Sequence, residues 1–185
     1  LAYGTANAKT LTLSFWIKTN FTDQITLWLW NPDSSRHIAY ALNVDAADTW
    51  QKVTWTLDGD TAGLIDNNND IGLQLRWILS AGSGFQGGTL DTSWAAITTA
   101  GRYQGQGDFT GTLSNYINIT GVQLETGTTA TDFENLQYGQ QLALCQRYYA
   151  TCFWNVVTSA LGYSTITRPV SMRTSPTIAG GGTGF

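Results

Sequence analysis

Leu11-Thr12-Leu13-Ser14-Phe15-Trp16-Ile17-Lys18 alternates strictly. In an extended chain successive side chains point to opposite faces, so Leu11, Leu13, Phe15 and Ile17 share one face and Thr12, Ser14, Trp16 and Lys18 the other. That pattern predicts a half-buried β-strand, and it recurs along the chain. Ile25 to Trp30 repeats it, and Asn31-Pro32-Asp33-Ser34-Ser35 ends it with turn chemistry. Further strands are expected over 37–44 and over 50–57, where Val53, Trp55 and Leu57 are in phase. The turn-rich Asp58-Gly59-Asp60-Thr61-Ala62-Gly63 follows and is prolonged through 66–70. Residues 71–79 alternate again, through Ile71, Leu73, Leu75, Trp77 and Leu79, until the Gly-rich 81–89 breaks the run. The last clear strand spans 117–124, where Gly121 marks an irregularity that moves the apolar phase from Ile117 and Ile119 to Val122 and Leu124.

Short, closely spaced strands without intervening helices predict an antiparallel two-sheet sandwich, with a jelly roll as the expected topology. The exception is 138–149, where Leu142, Cys145 and Tyr149 recur at helical spacing and predict a short amphipathic helix. Beyond it, 151–157 and 165–172 read as strands before a Gly-rich end. The expected organisation is therefore all-β: a jelly-roll sandwich over 1–136, a connecting short helix over 137–150, and a small β extension over 151–185 that opens a second unit. The chain starts at Leu1 and reaches its first strand within a few residues, so it reads as a fragment of a longer polypeptide.

Charged residues make up only 12 % of the 185, about half the usual share of roughly 25 %. A net charge of -4 and a pI near 4.7, with no Lys/Arg stripe, argue against a nucleic-acid partner. No apolar run approaches the roughly 18 residues of a membrane span, so no membrane insertion is expected. Two cysteines, Cys145 and Cys152, define neither a disulfide scaffold nor a metal site and read as buried free thiols.

From Ile119-Thr120-Gly121-Val122-Gln123-Leu124-Glu125, through Ala130-Thr131-Asp132-Phe133-Glu134, to Leu142-Ala143-Leu144-Cys145-Gln146-Arg147-Tyr148-Tyr149, the sequence resembles a recurring signature of bacteriophage tail fibres, tail spikes and other appendage proteins. In that family a carbohydrate-binding-module-like jelly roll precedes the LCQRYY element. The resemblance extends upstream through 13–18, 49–53 and 79–83 and downstream through 169–177. It implies location in the virion, assembly with other virion proteins and with further copies of the same chain as a homotrimer, and a part in attachment to a host-surface glycan. One departure is Gln140-Gln141, where an acidic residue is common. Read physically, the same residues also make sense as packing: Gly121 permits an unusual backbone torsion, and Phe133, Leu142, Tyr148 and Tyr149 supply apolar surface.

Cues for catalysis are scarce, and the chain is expected not to be an enzyme. The single histidine, His37, follows Ser34-Ser35-Arg36 at a strand start and reads as a surface residue. No serine elbow, metal-binding histidine pair or phosphate-cradling loop is present. Asp58, Asp60, Asp66 and Asp70, with Asn67 to Asn69, offer the hard oxygen ligands that calcium prefers, though not at EF-hand spacing. Calcium is the one cofactor the sequence would admit, and a solvated turn rich in Asx residues is the simpler reading. Trp16, Trp28 and Trp30 fall off the core phase of their strands. They would form a stacking platform for sugar rings, with Arg76, Gln74 or Asn43 bonding the hydroxyls; the simpler reading is that another subunit or the long loops cover this face. Two further functions compete with the virion reading: a carbohydrate-binding module of a secreted bacterial polysaccharide hydrolase, and a purely structural docking piece.

Overall fold

The computed structural model describes residues 1–68, 70–151, 169–173 and 175. Among the described residues there are seven strands and one α-helix: β1 (Leu11–Thr19), β2 (Ile25–Asn31), β3 (Arg36–Leu42), β4 (Gln51–Leu57), β5 (Gln74–Ile78), β6 (Ala95–Ala96), β7 (Ile117–Thr126) and α1 (Tyr138–Gln146). All pairings are antiparallel and form two sheets, ordered β4-β1-β7 and β5-β2-β3-β6. The chain divides into two compact units, Leu1–Phe133 and Glu134–Phe185; the first holds both sheets and the second holds α1.

The alternation of β1 determines what lies between the sheets. Leu11, Leu13, Phe15 and Ile17 are buried and meet Ile25, Leu27, Leu29, Ile38 and Leu42 of the opposite sheet in one core. Aromatic pairs span the two layers: Phe15 meets Trp77 edge-on at 5.6 Å, and Tyr40 stacks on Trp55 at 5.5 Å. In the Phe15–Trp77 contact the electropositive ring edge meets the electronegative face, which adds to area burial. The structure is thus the expected all-β sandwich with a short helix.

The polar face of β1 differs from a simple half-exposed strand. Thr12 and Ser14 are buried, although Trp16 stays 42 % exposed. The chain beyond β7 turns back over this part of the sheet. The Thr12 hydroxyl donates to the carbonyl of Gly127 at 2.7 Å, and the Thr56 hydroxyl donates to that of Thr128 at 3.4 Å. Glu125 anchors the returning segment, its carboxylate accepting from the Thr131 amide at 2.8 Å and hydroxyl at 2.9 Å and from the Gln123 side chain at 3.1 Å. The Thr131 amide, then the Gln123 and Thr131 side chains, hold the Glu125 carboxyl below the usual carboxylate range.

Gly121 is the expected irregularity. Ser14 pairs with Gln123 but Trp16 with Thr120, so Gly121 and Val122 together oppose Phe15, and Gly121 adopts φ 59°. The extra residue returns Leu124 to the face of its partner Leu13. Leu124 is nonetheless 45 % exposed, whereas Ile117 and Ile119 pack on the core.

The strand expected over 71–79 is shorter than its alternation, because β2 ends at Asn31 and its last partner on this side is Gln74. Ile71 is left exposed. The expected helix is real but ends at Gln146, and none of its residues is buried. Cys145 is therefore an exposed thiol rather than a buried one, while Cys152 lies outside the described residues. Gln140 serves in place of an acidic residue: its side-chain oxygen accepts from the Gln137 amide at 3.3 Å and closes a capping box at the helix start. The strands expected over 151–157 and 165–172 lie outside the described residues except at Thr151 and 169–172, which carry no strand.

Two substitutions check this account. Phe15→Ala should cost about 3–5 kcal/mol, measured as a lowered denaturant midpoint, since the site is sealed on all sides. Gly121→Ala should cost about 1–2 kcal/mol from backbone strain alone, because the added methyl would meet Trp16 at an ordinary 3.5 Å.

Candidate functional site

The outer face of the four-stranded sheet is the most chemically elaborate surface in the first unit. β2 directs Thr26, Trp28 and Trp30 outward; register places Ile78, Arg76 and Gln74 of β5 on one side of them and Ala41, Ala39 and His37 of β3 on the other. Trp28 and Trp30, two residues apart on one face, stack at 5.6 Å with 19° between their planes. The Arg76 guanidinium lies 5.1 Å from the Trp28 ring centre and 5.2 Å from that of Trp30. Its Nε donates to Gln74 Oε1 at 2.9 Å, and Nη2 donates to the same oxygen.

Much of this face is sealed by the long connection between β5 and β7. Tyr103 meets Trp28 edge-on at 5.9 Å, and the buried Gln106 side chain accepts from the Thr26 amide at 2.7 Å, standing in for a ladder partner. On the other side the Asp91 carbonyl accepts from the Ala39 amide at 2.8 Å. Trp28 is consequently only 2 % exposed. Trp30 is half-buried and Arg76 exposed, so the accessible part of the face lies toward β5.

His37 is fully buried here, contrary to the expectation of a surface histidine. Its register opposite Trp30 points it outward from the core, but the connection covers it. Trp28 Nε1 lies 2.6 Å from His37 Nδ1, and His37 Nε2 lies 3.0 Å from Asp91 Oδ2. An indole nitrogen can only donate, so Nδ1 accepts and the single imidazole proton sits on Nε2, where it donates to Asp91. The ring is held neutral with both nitrogens satisfied. Burial pushes its pKa below the ordinary value, opposed by the charge and hydrogen bond of Asp91 and reinforced by Arg102 and Arg36.

Arg36 ties the next loop to the same sheet. Its Nε donates to Asp60 Oδ2 at 2.6 Å and its Nη2 to the Trp94 carbonyl at 3.0 Å. Burial tends to raise the Asp60 carboxyl, but the Arg36 hydrogen bond, the Ala62 and Gly63 amides and the Arg36 charge together hold it below its usual range.

The structure separates the residues singled out from the sequence. Trp28, Trp30, Arg76 and Gln74 come together as one group. Trp16 belongs to the other sheet, on β1 beside Lys52 and Thr120, and forms no row with them. Asn43 lies past the end of β3 and is exposed. Among the four aspartates only Asp60 is buried, and its carboxylate is engaged by Arg36; Asp58, Asp66 and Asp70 are exposed. Among the described residues no three His, Cys, Asp or Glu side chains gather where they could hold a metal ion. Arg102, Phe85 and Tyr103, which complete the aromatic face, lie in a connection without periodicity, so no local pattern in the sequence marks them. Among the described residues no helix is long and apolar enough to cross a membrane. No family model, no curated protein and no solved structure matches the chain.

A neutral buried His37 has a pH signature. Its folded pKa lies below the unfolded value of about 6.5, so the unfolded chain takes up the proton first. The stabilisation is complete above about 6.5 and is lost as pH falls below it. Urea unfolding of wild type should show this decline from neutral pH downward, and His37→Gln, which can accept from Trp28 and donate to Asp91 without titrating, should flatten it. Parallel pH profiles for the two proteins would disprove the assignment.

Proposed function

We propose that this chain is a structural protein of a bacteriophage virion, a tail fibre, spike or other appendage, that assembles as a homotrimer and contributes to attachment at a host-surface glycan. The observation that supports this reading is the division of labour within 119–149. Gly121, Gln123, Glu125 and Thr131 have local work in the fold: they form the bulge and pin the returning segment. Intrachain packing accounts much less well for the later residues. Leu142, Leu144, Tyr148 and Tyr149 are exposed, Tyr149 by 75 %. Large apolar side chains clustered this closely along a chain are the expected mark of a surface covered on assembly.

The action assigned is non-covalent. A sandwich with a continuous core supplies a rigid support, and several copies on one particle would raise weak single-site binding through avidity. Sedimentation equilibrium of the full chain should give three times its 20.1 kDa mass. Replacing Leu144 and Tyr148 together by Asp should return the protein to the monomer with the β signal of its circular dichroism unchanged. A wild-type monomer that still binds polysaccharide would instead favour a carbohydrate-binding module of a secreted bacterial hydrolase, and a monomer that binds none would exclude both.

A further inference from the structure

Arg76 and Arg102 stand at the outer side of the four-stranded sheet, whereas Arg36, paired with Asn31, belongs to its core-facing phase, and the three are used differently. Arg36 is consumed by the fold, paired with buried Asp60 and bonded to the Trp94 carbonyl. Arg76 and Arg102 have no carboxylate within ion-pair distance among the described residues. Arg76 spends donors only on the neutral Gln74 oxygen. Arg102 donates from Nε to the Thr98 carbonyl at 3.4 Å and lies over three rings, at 5.8 Å from Trp28, 5.7 Å from Phe85 and 6.0 Å from Tyr103. A guanidinium has five N–H donors, so each retains several for a ligand.

The rings fix where those donors are. Both guanidinium groups lie over Trp28, which is itself immobilised by its hydrogen bond to His37 and by Tyr103. Two cations are thereby held near one buried ring, beside the half-buried Trp30 and the partly exposed Phe85. Asp91, on the β3 side of this face, accepts from His37 Nε2 and lies outside ion-pair distance of both arginines. Two cations so placed, neither ion-paired to a carboxylate among the described residues, favour an anion from outside. The surrounding chain is acidic overall, with net charge -4, so long-range attraction does not favour a generic polyanion. The flat aromatic surfaces next to the cations suit the apolar face of a sugar ring.

We propose that this face binds an acidic saccharide, with Arg76 and Arg102 taking the anionic group of a sugar unit and Trp30 and Phe85 bordering its ring. This names a ligand class for the attachment part of the proposed function and rests on that part alone. The anionic group is a carboxylate or a phosphate, and the probes distinguish them.

The full-length chain would be titrated calorimetrically with polygalacturonate, phosphorylated mannan and neutral dextran. Binding to at least one acidic polymer and none to dextran is expected, and the polymer that binds identifies the group. Arg76→Gln and Arg102→Gln should each weaken that binding at least about tenfold, the loss of one charge-assisted hydrogen bond. The affinity should also fall as salt is raised. Unchanged affinity in both correctly folded variants, equal binding of dextran, or no binding of either acidic polymer would overturn the proposal. A monomeric mass alongside the expected binding would remove the assembly reading and leave this site standing.

Discussion

The architecture depends on one requirement: the four-stranded sheet must be covered on both sides. Its inner face is apolar and meets the three-stranded sheet, but its outer face carries two tryptophans and a histidine that are not a solvent-facing set. Burying Trp28 and His37 leaves an indole N–H and two imidazole nitrogens in need of partners, and an unsatisfied buried polar group costs about 1–3 kcal/mol. The chain Trp28 to His37 to Asp91 meets that need in one line, with Asp91 only partly exposed at its end. The long connection is thus positioned by hydrogen bonds whose direction is set by the donor-only character of indole. Arg36 reinforces it through the Trp94 carbonyl while fastening the Asp60 loop from the other side.

The remaining polar surface then sorts itself by what the covers use up. Asp60 and Arg36 neutralise each other inside the fold, and His37 stays uncharged. What is left outward toward β5 is cationic and aromatic, although the chain as a whole is acidic. Residues with structural work and residues open to a ligand therefore occupy neighbouring positions on the same strands. Trp28 and Trp30 illustrate the division: two residues apart, one is locked under Tyr103 and the other reaches toward the β5 edge.

Much of the sandwich was legible because side-chain alternation is a local property. β1, β2 and β4 were identifiable from their own residues, and even the phase change at Gly121 could be read in β7. Alternation also separated Trp16, Trp28 and Trp30 from the core, but it does not tell which sheet a strand joins, and Trp16 went to the other one. Nor does being off the core phase mean being wet. Thr12 is sealed by Gly127 and His37 by Asp91, partners 115 and 54 residues away that no local pattern announces. β6, two residues long, offered no pattern to read. The helix illustrates the opposite error, since Leu142, Cys145 and Tyr149 have amphipathic spacing yet no residue of α1 is buried.

The place of β1 between β4 and β7 has a consequence in time. One edge of the strand is closed within the same stretch of chain, by Gln51 to Leu57, but the other waits for Ile117, which pairs with Thr19. At about 5–20 residues per second of synthesis, that edge stands open for roughly 5–20 s on the ribosome. Its apolar face is among the stickiest of the chain, and an unpaired edge is a template for the wrong partner. Among the described strands only the β2–β3 hairpin joins neighbours by a short turn, so the sandwich is dominated by late, distant pairings and should fold slowly for its size. The polar Thr12 and Ser14 on the far side of β1 then have a second value: until the segment after β7 arrives to cover them, they keep one face of the waiting strand compatible with water.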